Sequence, residues 1–373
     1  MGKNKFERHP LITISIFILT VIFTLDFLSA NIYSLINRYP FYARGQKKKE
    51  EMDRVYHVRS AIYHHDLARN KAVDYGARGN YRHIVYTNSL GFKDKACGDV
   101  PLISDKYRVL FIGDSFVEGI GFNYEDTFVG LIGAELAKKG IEVLNAGVIS
   151  YSPVIYWRKI KYLLEDTGLK FDEVAAFIDI SDIENEAVDY YLDTNGNVAG
   201  SGVSRKIYCE GTDGLSGLKT LIKNNSIFIY SMLYNLDKIS KLRGNINIKR
   251  ARWTIDRNIY NAYGEKGLET ASLHMDNLRE LLDKHGIKLT VAVYPWPDQI
   301  INRDLDSIQV LYWKDWCDKR AIPFINYFPY FINGRTKKEL KDTINKYYNA
   351  YDIHWNQNGH RLIADVFLDF YRK

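Results

Sequence analysis

The feature that most constrains the fold is an apolar run, Val109–Ile112, that ends abruptly in Gly113, Asp114 and Ser115. A short apolar run without polar interruptions fits a strand that is buried on both faces, and glycine permits the sharp turn that follows it. Ser115 then begins a helical pattern, whose first N–H groups and dipole favour negative charge close to the serine hydroxyl. The stretch therefore predicts a strand, a turn and a helix, with a serine at the turn.

Strand and helix patterns alternate along the chain after this unit. Apolar runs typical of strands lie at 109–112, 141–144, 174–180, 287–294 and 322–326, and helical patterns lie at 126–139, 153–166, 265–285 and 307–319. Such alternation predicts an α/β fold, in which helices cover both faces of a parallel sheet and form a three-layer sandwich. A helical insertion around 183–262 interrupts it. This insertion either packs beside the site or lies against a membrane surface.

A serine nucleophile needs a base, and the end of the chain offers one. His354 lies in a loop before an amphipathic terminal helix, and Asp352 lies two residues earlier. The carboxylate can hydrogen-bond the imidazole, fix its tautomer and stabilise its charged form. Helix capping and turn formation by Asp114, Ser115 and Asp352 remain the alternative for each segment taken alone.

Two loops at predicted strand ends supply further candidates. Gly147 follows the 141–144 strand, where a loop can direct a backbone N–H at a reacting oxygen. Ser181 and Asp182 follow the 174–180 strand, at the carboxyl edge where parallel α/β sheets bind ligands.

Two tryptophans are candidates for substrate contact. Trp296 lies between Pro295 and Pro297, which stiffen a loop at the end of a strand, and Trp355 is adjacent to His354. Either ring could stack on a sugar or cover an acyl group; packing in the protein interior is the alternative for both.

Four short blocks, in this order, resemble the SGNH/GDSL hydrolase superfamily. They read GDSF at 113–116, NAGV at 145–148, ISDI at 180–183 and DIHW at 352–355. The resemblance covers roughly residues 86–373. It implies a flavodoxin-like three-layer fold and acyl transfer by a triad in which Ser115 is the nucleophile, His354 the base and Asp352 the orienting acid.

The same resemblance implies an oxyanion hole that is built from the N–H groups of Ser115 and Gly147. Its third member is usually an asparagine of the third block, and here Ser181 stands in that place. Losing one such donor costs about 3 kcal/mol, so the substitution bears on rate more than on reaction type.

The last block departs from the usual Asp-x-x-His. Asp352 and His354 give Asp-x-His-Trp, which is similar to the branch of alginate-type polysaccharide O-acetyltransferases. We therefore expect a serine esterase acting on acyl esters, with cell-envelope carbohydrate as substrate. A polysaccharide O-acetyltransferase, supplied by a membrane acyl-donor partner, is the alternative. A second alternative, motivated by Ser181, is an inactive SGNH-fold module for carbohydrate binding or assembly.

The N-terminus predicts a membrane protein. Leu11–Ala30 is apolar and long enough to span a bilayer, so we expect an anchor at 1–35, a juxtamembrane stalk at 36–85 and the catalytic domain at 86–373. A cleaved signal peptide is the alternative. Basic residues after the span outnumber those before it, which alone favours a cytoplasmic domain. Long domains translocate regardless of charge, and the resemblance to enzymes that act on exported polysaccharides favours the outer side of the membrane. We therefore expect a single-pass protein with an extracytoplasmic domain.

Composition narrows the partners. The net charge of +6 is dispersed over 373 residues without a nucleic-acid motif, so no nucleic-acid partner is expected. The three cysteines lack CxxC spacing, and His64 and His65 have no third ligand nearby. We therefore expect no metal and no cofactor.

Overall fold

The chain folds into two compact units. The computed structural model describes residues 9–44, 55–78, 81–200, 224–242, 249–350 and 352–372. The smaller unit comprises Met1–Asp53 and Cys209–Asn245, and the larger one comprises Arg54–Tyr208 and Ile246–Lys373.

The strands belong to the larger unit. In chain order they are β1 (His57–Ser60), β2 (His64–Leu67), β3 (Ala72–Arg78), β4 (Tyr81–Thr87), β5 (Lys93–Asp94), β6 (Arg108–Ile112), β7 (Glu142–Asn145), β8 (Glu173–Ile178), β9 (Tyr190–Leu192), β10 (Val198–Gly200), β11 (Lys288–Val293) and β12 (Phe324–Asn326). Strands β3, β4 and β5 form an antiparallel sheet, while β1 with β2 and β9 with β10 form hairpins.

A parallel sheet in the order β12-β11-β8-β6-β7 forms the centre of the larger unit. Its strands β6 and β8 are buried along their whole length, and all their residues after Arg108 and Glu173 are apolar. Ile112 at the end of β6 pairs with Ala176 of β8. The chain passes from β6 to β7 on one side and then crosses to β8 on the other. Ligand sites of parallel α/β sheets form at such a reversal, beyond the carboxyl ends of the strands.

Helices cover this sheet. The longer ones are Phe128–Ala137, Pro153–Lys161, Glu265–His285, Ile308–Asp318, Lys337–Tyr347 and Gln357–Tyr371, and the shorter ones are Ser115–Glu118, Asp182–Glu184, Arg257–Ile259, Pro297–Ile301 and Phe328–Phe331. Single turns of 3-10 or π geometry lie at Tyr124–Asp126, Tyr162–Asp166, Asn185–Asp189, Lys249–Thr254 and Tyr260–Gly264. Phe111 of β6 packs against Phe128 and Phe367, one from each of two neighbouring helices. The predicted three-layer α/β fold is confirmed.

The predicted stalk at 36–85 is wrong for its described part beyond residue 54. Strands β1 to β4 belong to the larger unit, where the buried Lys159 ammonium lies 2.7 Å from the Asp66 carboxylate. Charged residues are normally exposed to solvent. Because this pair is buried, the sequence pattern does not predict that the segment belongs to the fold. The basic run at 47–49 lies outside the described residues.

The predicted insertion at 183–262 is not one element. Its described ends, up to residue 200 and from residue 249, belong to the larger unit, whereas the helix Ile227–Leu242 belongs to the smaller one. Residues 201–223 and 243–248 of the insertion lie outside the described residues.

The smaller unit contains the N-terminal helix, Pro10–Asn37, a 3-10 turn at Phe41–Ala43 and the 227–242 helix. Within the described part of the chain, the N-terminal helix is the one whose length and apolar composition allow it to cross a membrane. At 1.5 Å per residue its 28 residues extend about 42 Å, more than the hydrocarbon thickness of a bilayer.

Candidate active site

Ser115 lies at the turn that follows β6. Gly113 is required there, because a Cβ atom would come within 2.3 Å of the Val117 side chain and 2.9 Å of the Phe177 carbonyl oxygen. The carboxylate of Asp114 caps the short helix by accepting the Phe116 N–H at 3.0 Å. Asp114 therefore serves as the N-cap, and its other carboxyl oxygen accepts the Ser115 hydroxyl at 3.2 Å. The Ser115 hydroxyl is not needed for capping and has a second, closer partner.

That partner is His354. The Oγ atom of Ser115 lies 2.9 Å from His354 Nε2, although 239 residues separate them in sequence. The other ring nitrogen, Nδ1, lies 2.8 Å from Oδ1 of Asp352. The structure thus brings the three predicted triad residues into one chain of hydrogen bonds.

The loop that carries His354 is fixed by its own backbone. The His354 carbonyl oxygen accepts the Asn349 N–H at 2.9 Å, and the Asn356 N–H donates to the Tyr347 carbonyl oxygen at 2.9 Å. The Asn356 side chain then caps the terminal helix. The His354 ring packs against Phe116, with 4.9 Å between ring centroids. These contacts hold the imidazole at the end of β6.

The charges of the pair shift both pKa values. Burial acts to lower the pKa of His354, but the hydrogen bond and charge of Asp352 outweigh burial and raise it above its ordinary value. Burial acts to raise the pKa of Asp352, but the hydrogen bond and charge of His354, with the N–H groups of Ile353 and His354, together outweigh burial and lower it. Half of that side chain is exposed. Asp352 therefore stays ionised at neutral pH, as an orienting carboxylate must.

A second set of carboxyl groups lies beneath the serine. Asp114, Asp179 and Asp182 are buried, and one oxygen of each lies within 4.8 Å of the others. Burial and the charge of Asp179 raise the pKa of Asp114 to about 7, and burial raises that of Asp182 well above its ordinary value. The cluster therefore holds protons at neutral pH.

Hydrogen-bond donors surround this cluster. Tyr294 donates its hydroxyl to Asp114 at 3.1 Å, and Trp296 Nε1 donates to Asp179 at 2.7 Å. Carboxylate oxygens at this spacing are the ligands that a divalent cation takes. Here protein donors occupy oxygens of Asp114 and Asp179, whereas Oδ1 of Asp182 is buried without a hydrogen-bond partner in the part of the chain that the structure describes. The donor set fits a hydrogen-bonded carboxyl network.

Neither loop candidate for the oxyanion hole has its predicted donor free. The hydroxyl and N–H of Ser181 both point to Oδ1 of Asp179, at 2.5 and 2.8 Å. The Gly147 N–H donates to Oδ1 of Asn145 at 3.1 Å, and a Cβ at Gly147 would lie 2.5 Å from Val117. In this structure Ser181 hydrogen-bonds the buried acids and Gly147 permits close packing, while the oxyanion role of both residues stays a prediction.

Ser150, three residues beyond Gly147, has an unusual backbone conformation that sequence reasoning did not identify. Its φ of 62° is a left-handed conformation that few residues other than glycine adopt. The N–H groups of Ser115 and Ser150 have no hydrogen-bond partner among the described residues. The Val148 N–H donates to the Gly113 carbonyl oxygen at 3.1 Å, which ties the Ser150 loop to the nucleophile turn. The sequence contains no signal for this conformation.

Both tryptophans lie in the interior, which corrects their predicted role as pocket walls. Trp296 is buried beside Asp179, and Trp355 is fully buried. Its ring centroid lies 4.6 Å from that of Phe116 and 4.8 Å from that of Tyr294. The two indoles support the nucleophile turn from inside.

Comparison with known proteins gives structural similarity only. The chain matches no protein-family model and no curated protein. It is similar to the acetyl xylan esterase AlAXEase, with 14% identity, 71% of this chain and 99% of that chain covered, and a TM-score of 0.40. It is also similar to a catalytic mutant of Axe2, an acetylxylan esterase from Geobacillus stearothermophilus. Here the identity is 12%, 72% of this chain and 95% of that chain are covered, and the TM-score is 0.37.

The psychrotrophic esterase EstA from Pseudoalteromonas sp. is similar at 12% identity, with 72% of this chain and 97% of that chain covered and a TM-score of 0.36. At these identities and TM-scores, the function of the chain has to be inferred from its own site.

Proposed function

We propose that the protein is a membrane-anchored serine esterase of the SGNH/GDSL type. The observation that carries this proposal is the chain of hydrogen bonds from Ser115 through His354 to Asp352. A capping role does not account for it, because Asp114 already caps the helix. A serine, a histidine and an ionised carboxylate in this order are the parts that acyl transfer through a serine requires.

The chemistry follows from this order. Asp352 accepts a hydrogen bond from the Nδ1–H group of His354, so Nε2 is left to accept the proton of the Ser115 hydroxyl as Oγ attacks the ester carbonyl carbon. Collapse of the tetrahedral intermediate breaks the ester bond, and the imidazolium returns the proton to the leaving alcohol. Water then attacks the acyl-enzyme with His354 again as base, which releases the acid and restores Ser115.

The negative oxygen of the intermediate needs donors close to Ser115. The N–H of Ser115 and the N–H of Ser150 are the candidates, since both lack partners among the described residues. Backbone N–H groups held by fixed loops stabilise such an oxygen without rearranging during the reaction. In this proposal Ser150 supplies the donor that was expected of Gly147.

The accessibility of the serine favours a small acyl group. Only 6% of Ser115 is exposed, and the His354 side chain is mostly covered. An acetyl group reaches such a hydroxyl more readily than a long acyl chain does. Together with the Asp-x-His-Trp resemblance, this favours acetyl esters of cell-envelope carbohydrate as the substrate class.

The N-terminal helix supports anchoring of the enzyme in a membrane. Its length exceeds the hydrocarbon thickness, and its apolar side chains are exposed within the chain. We place the larger unit on the extracytoplasmic side, where cell-envelope carbohydrate is found. A reporter fused after Lys373 that is active only in the cytoplasm would contradict this orientation.

The test of the nucleophile uses the full chain in detergent with p-nitrophenyl acetate. Ser115→Ala should lose hydrolysis by on the order of 10⁴-fold or more, because the attacking atom is gone. A fluorophosphonate probe should label the wild type and not this variant. Ser104→Ala, on a surface loop, is the control and should keep both signals. Full activity of Ser115→Ala would contradict the proposal.

The second candidate function is O-acetyl transfer to a polysaccharide. The spacing of Asp352 and His354, which resembles that branch, favours it, and the acyl-enzyme step is shared. An excess of acetyl transfer to an oligosaccharide over hydrolysis would identify the transferase. Absence of fluorophosphonate labelling in the wild type would favour an inactive carbohydrate-binding or assembly module.

A further inference from the structure

The N-terminal helix carries a carboxylate within its apolar stretch, and a distant part of the chain binds it. Asp26 accepts the Ser226 hydroxyl, and its Oδ1 accepts the N–H groups of Ile227 and Phe228, each at 3.0 Å. About 200 residues separate these partners in sequence. Asp26 therefore caps the N-terminus of the 227–242 helix, whose first N–H groups have no partner within that helix.

The position of Asp26 sets the depth of this contact. Asp26 precedes the end of the apolar stretch, Ala30, by four residues, which is roughly 6 Å along a helix. A carboxylate at that depth in hydrocarbon is costly unless it is hydrogen-bonded. The donors of Ser226, Ile227 and Phe228 meet this requirement only if the start of the 227–242 helix lies at the same depth.

The exposed surface of the 227–242 helix fits that location. Phe228, Met232 and Leu236 are spaced four residues apart and so form one stripe along the helix. Each is between 46% and 57% exposed. Apolar side chains repeated along one face are unfavourable in water and favourable against lipid acyl chains.

Aromatic rings cluster in the smaller unit beyond the apolar stretch of the N-terminal helix. The ring of Tyr230 lies 6.3 Å from that of Phe41 and 6.0 Å from that of Tyr42, while Tyr33 packs against Phe41 at 5.3 Å. The cluster also contains Tyr39 and Tyr234. Tyrosine-rich belts are typical of the membrane–water interface. The 227–242 helix thus begins beside Asp26 and, one turn later, contacts the aromatic cluster through Tyr230.

We propose that residues 226–236 form a second membrane-embedded segment, which Asp26 tethers to the N-terminal helix. The stripe of Phe228, Met232 and Leu236 then faces the acyl chains of the bilayer. Continuity with the membrane-spanning helix is the reason for choosing lipid as the occupant of this face. The inference rests on the proposed membrane anchoring and is independent of the esterase activity.

The test measures the rate at which a water-soluble maleimide modifies single cysteines in the full chain. The protein is reconstituted in phosphatidylcholine nanodiscs at one copy per disc. Cys97 and Cys209 are replaced by serine, whereas the buried Cys317 stays, because burial raises the pKa of its thiol to about 12. The reporters are Phe228→Cys, Met232→Cys and Leu236→Cys.

Two controls separate this inference from anchoring. Leu273→Cys replaces a leucine of the larger unit that is 57% exposed, as Phe228 is, and it should react freely. Ile22→Cys lies in the N-terminal helix and should be protected in the bilayer. We expect the three reporters to react at least about tenfold more slowly than Leu273→Cys.

Each other outcome contradicts the inference in a distinct way. If Ile22→Cys is protected and the reporters react as fast as Leu273→Cys, the embedded segment is wrong and the anchor stands. If Ile22→Cys also reacts, the anchor fails and the inference fails with it. A second chain would be the occupant if Phe228→Cys is unprotected at one copy per disc and cross-links oxidatively between copies when several share a bilayer.

The tether itself is tested by changing Asp26. Asp26→Leu removes the acceptor and should raise the reactivity of the Phe228→Cys reporter by about tenfold. Asp26→Asn keeps an acceptor oxygen and should leave the reporter protected. Equal protection in both variants would show that Asp26 does not hold the segment.

Discussion

Two carboxyl groups flank the Ser115–His354 pair, and their pKa values are shifted in opposite directions. Asp352 is half exposed, lies 2.8 Å from His354 Nδ1, and its pKa is lowered. Asp114 is buried, lies 3.2 Å from the Ser115 hydroxyl, and burial raises its pKa to about 7. Both are within hydrogen-bond reach of the reacting pair, so distance alone does not assign their roles.

The two carboxyl groups differ in their neighbours: Asp352 is paired with the His354 imidazole, whereas Asp114 is buried beside Asp179. A charged Asp114 beside Oγ would oppose the negative charge that develops during attack, whereas a protonated one would not. Asp352 acts on the far nitrogen of the ring, where a negative charge stabilises the imidazolium that forms. The hydrogen bond and charge of His354 keep Asp352 ionised, whereas burial and the charge of Asp179 raise the pKa of Asp114 to about 7.

Asp352→Asn should break this comparison most severely. The amide cannot hold the Nδ1 proton as a carboxylate does, so kcat should fall by about 10³–10⁴-fold. The thermal midpoint should change little because the side chain is half exposed. Ester hydrolysis and thermal unfolding of the purified variant measure the two effects.

The control for Asp352→Asn is Asp276→Asn, which removes an ion pair with Arg320 elsewhere in the larger unit. It should leave kcat unchanged. Retention of activity within tenfold by Asp352→Asn would mean that the orienting acid is another carboxyl group, with Asp114 the nearest.

The pH profile gives the next largest effect. His354 acts as a base only when neutral, and its pKa is raised above 6.5, so kcat/KM should fall as pH decreases through a value above 6.5. Asp352→Ala removes the interactions that raise this pKa and should move the acidic limb to lower pH. A limb that stays in place in this variant would exclude His354 as the titrating group.

Asp114→Asn tests the role of the buried carboxyl group in this comparison. The amide oxygen can still accept the Phe116 N–H and the Tyr294 hydroxyl, so kcat should fall by about tenfold at most. The folded state holds the Asp114 proton up to about pH 7, whereas an unfolded aspartate loses it near 3.8. Protonation therefore stabilises the native protein below pH 4, and this contribution is lost as the pH rises to 7.

The measurement for Asp114→Asn is the thermal midpoint at pH 5 and pH 8. The wild type should lose stability between these values, and the variant should lose less, with a difference of about 3 °C or more. Identical losses in both proteins would show that Asp114 titrates alike in the folded and unfolded chain.

The sheet and the convergence of Ser115, His354 and Asp352 were predictable because their signals are local. The run Val109–Ile112 and the glycine after it specify a strand and a turn, and the two-residue spacing of Asp352 and His354 places both groups in one loop. Chain order and alternation then bring the strand ends to one edge of the sheet. No long-range contact has to be known for these steps.

The hydrogen-bond partners of the oxyanion candidates and the burial of the tryptophans were not predictable, because they depend on side-chain rotamers and on long-range contacts. Whether Ser181 donates to substrate or to Asp179 depends on rotamers that the sequence does not specify. Trp355 is buried by Phe116 and Tyr294, which come from distant parts of the chain. A tryptophan beside a catalytic loop has the same local pattern whether it lines a pocket or supports the loop from inside.

Ser181→Ala should have the smallest effect on rate. It tests whether the Ser181 hydroxyl acts on Asp179 or on the oxyanion. Its hydroxyl donates to Asp179 at 2.5 Å, so its loss should lower the free energy of unfolding by about 1–2 kcal/mol. The value of kcat should stay within about threefold, because no contact to the transition state is removed. A loss of about 10²–10³-fold would instead mean that the hydroxyl turns to the oxyanion during reaction. Ser152→Ala is the matched control, since its buried hydroxyl donates to the Glu186 carboxylate at 2.6 Å, and it should lose comparable stability at unchanged kcat.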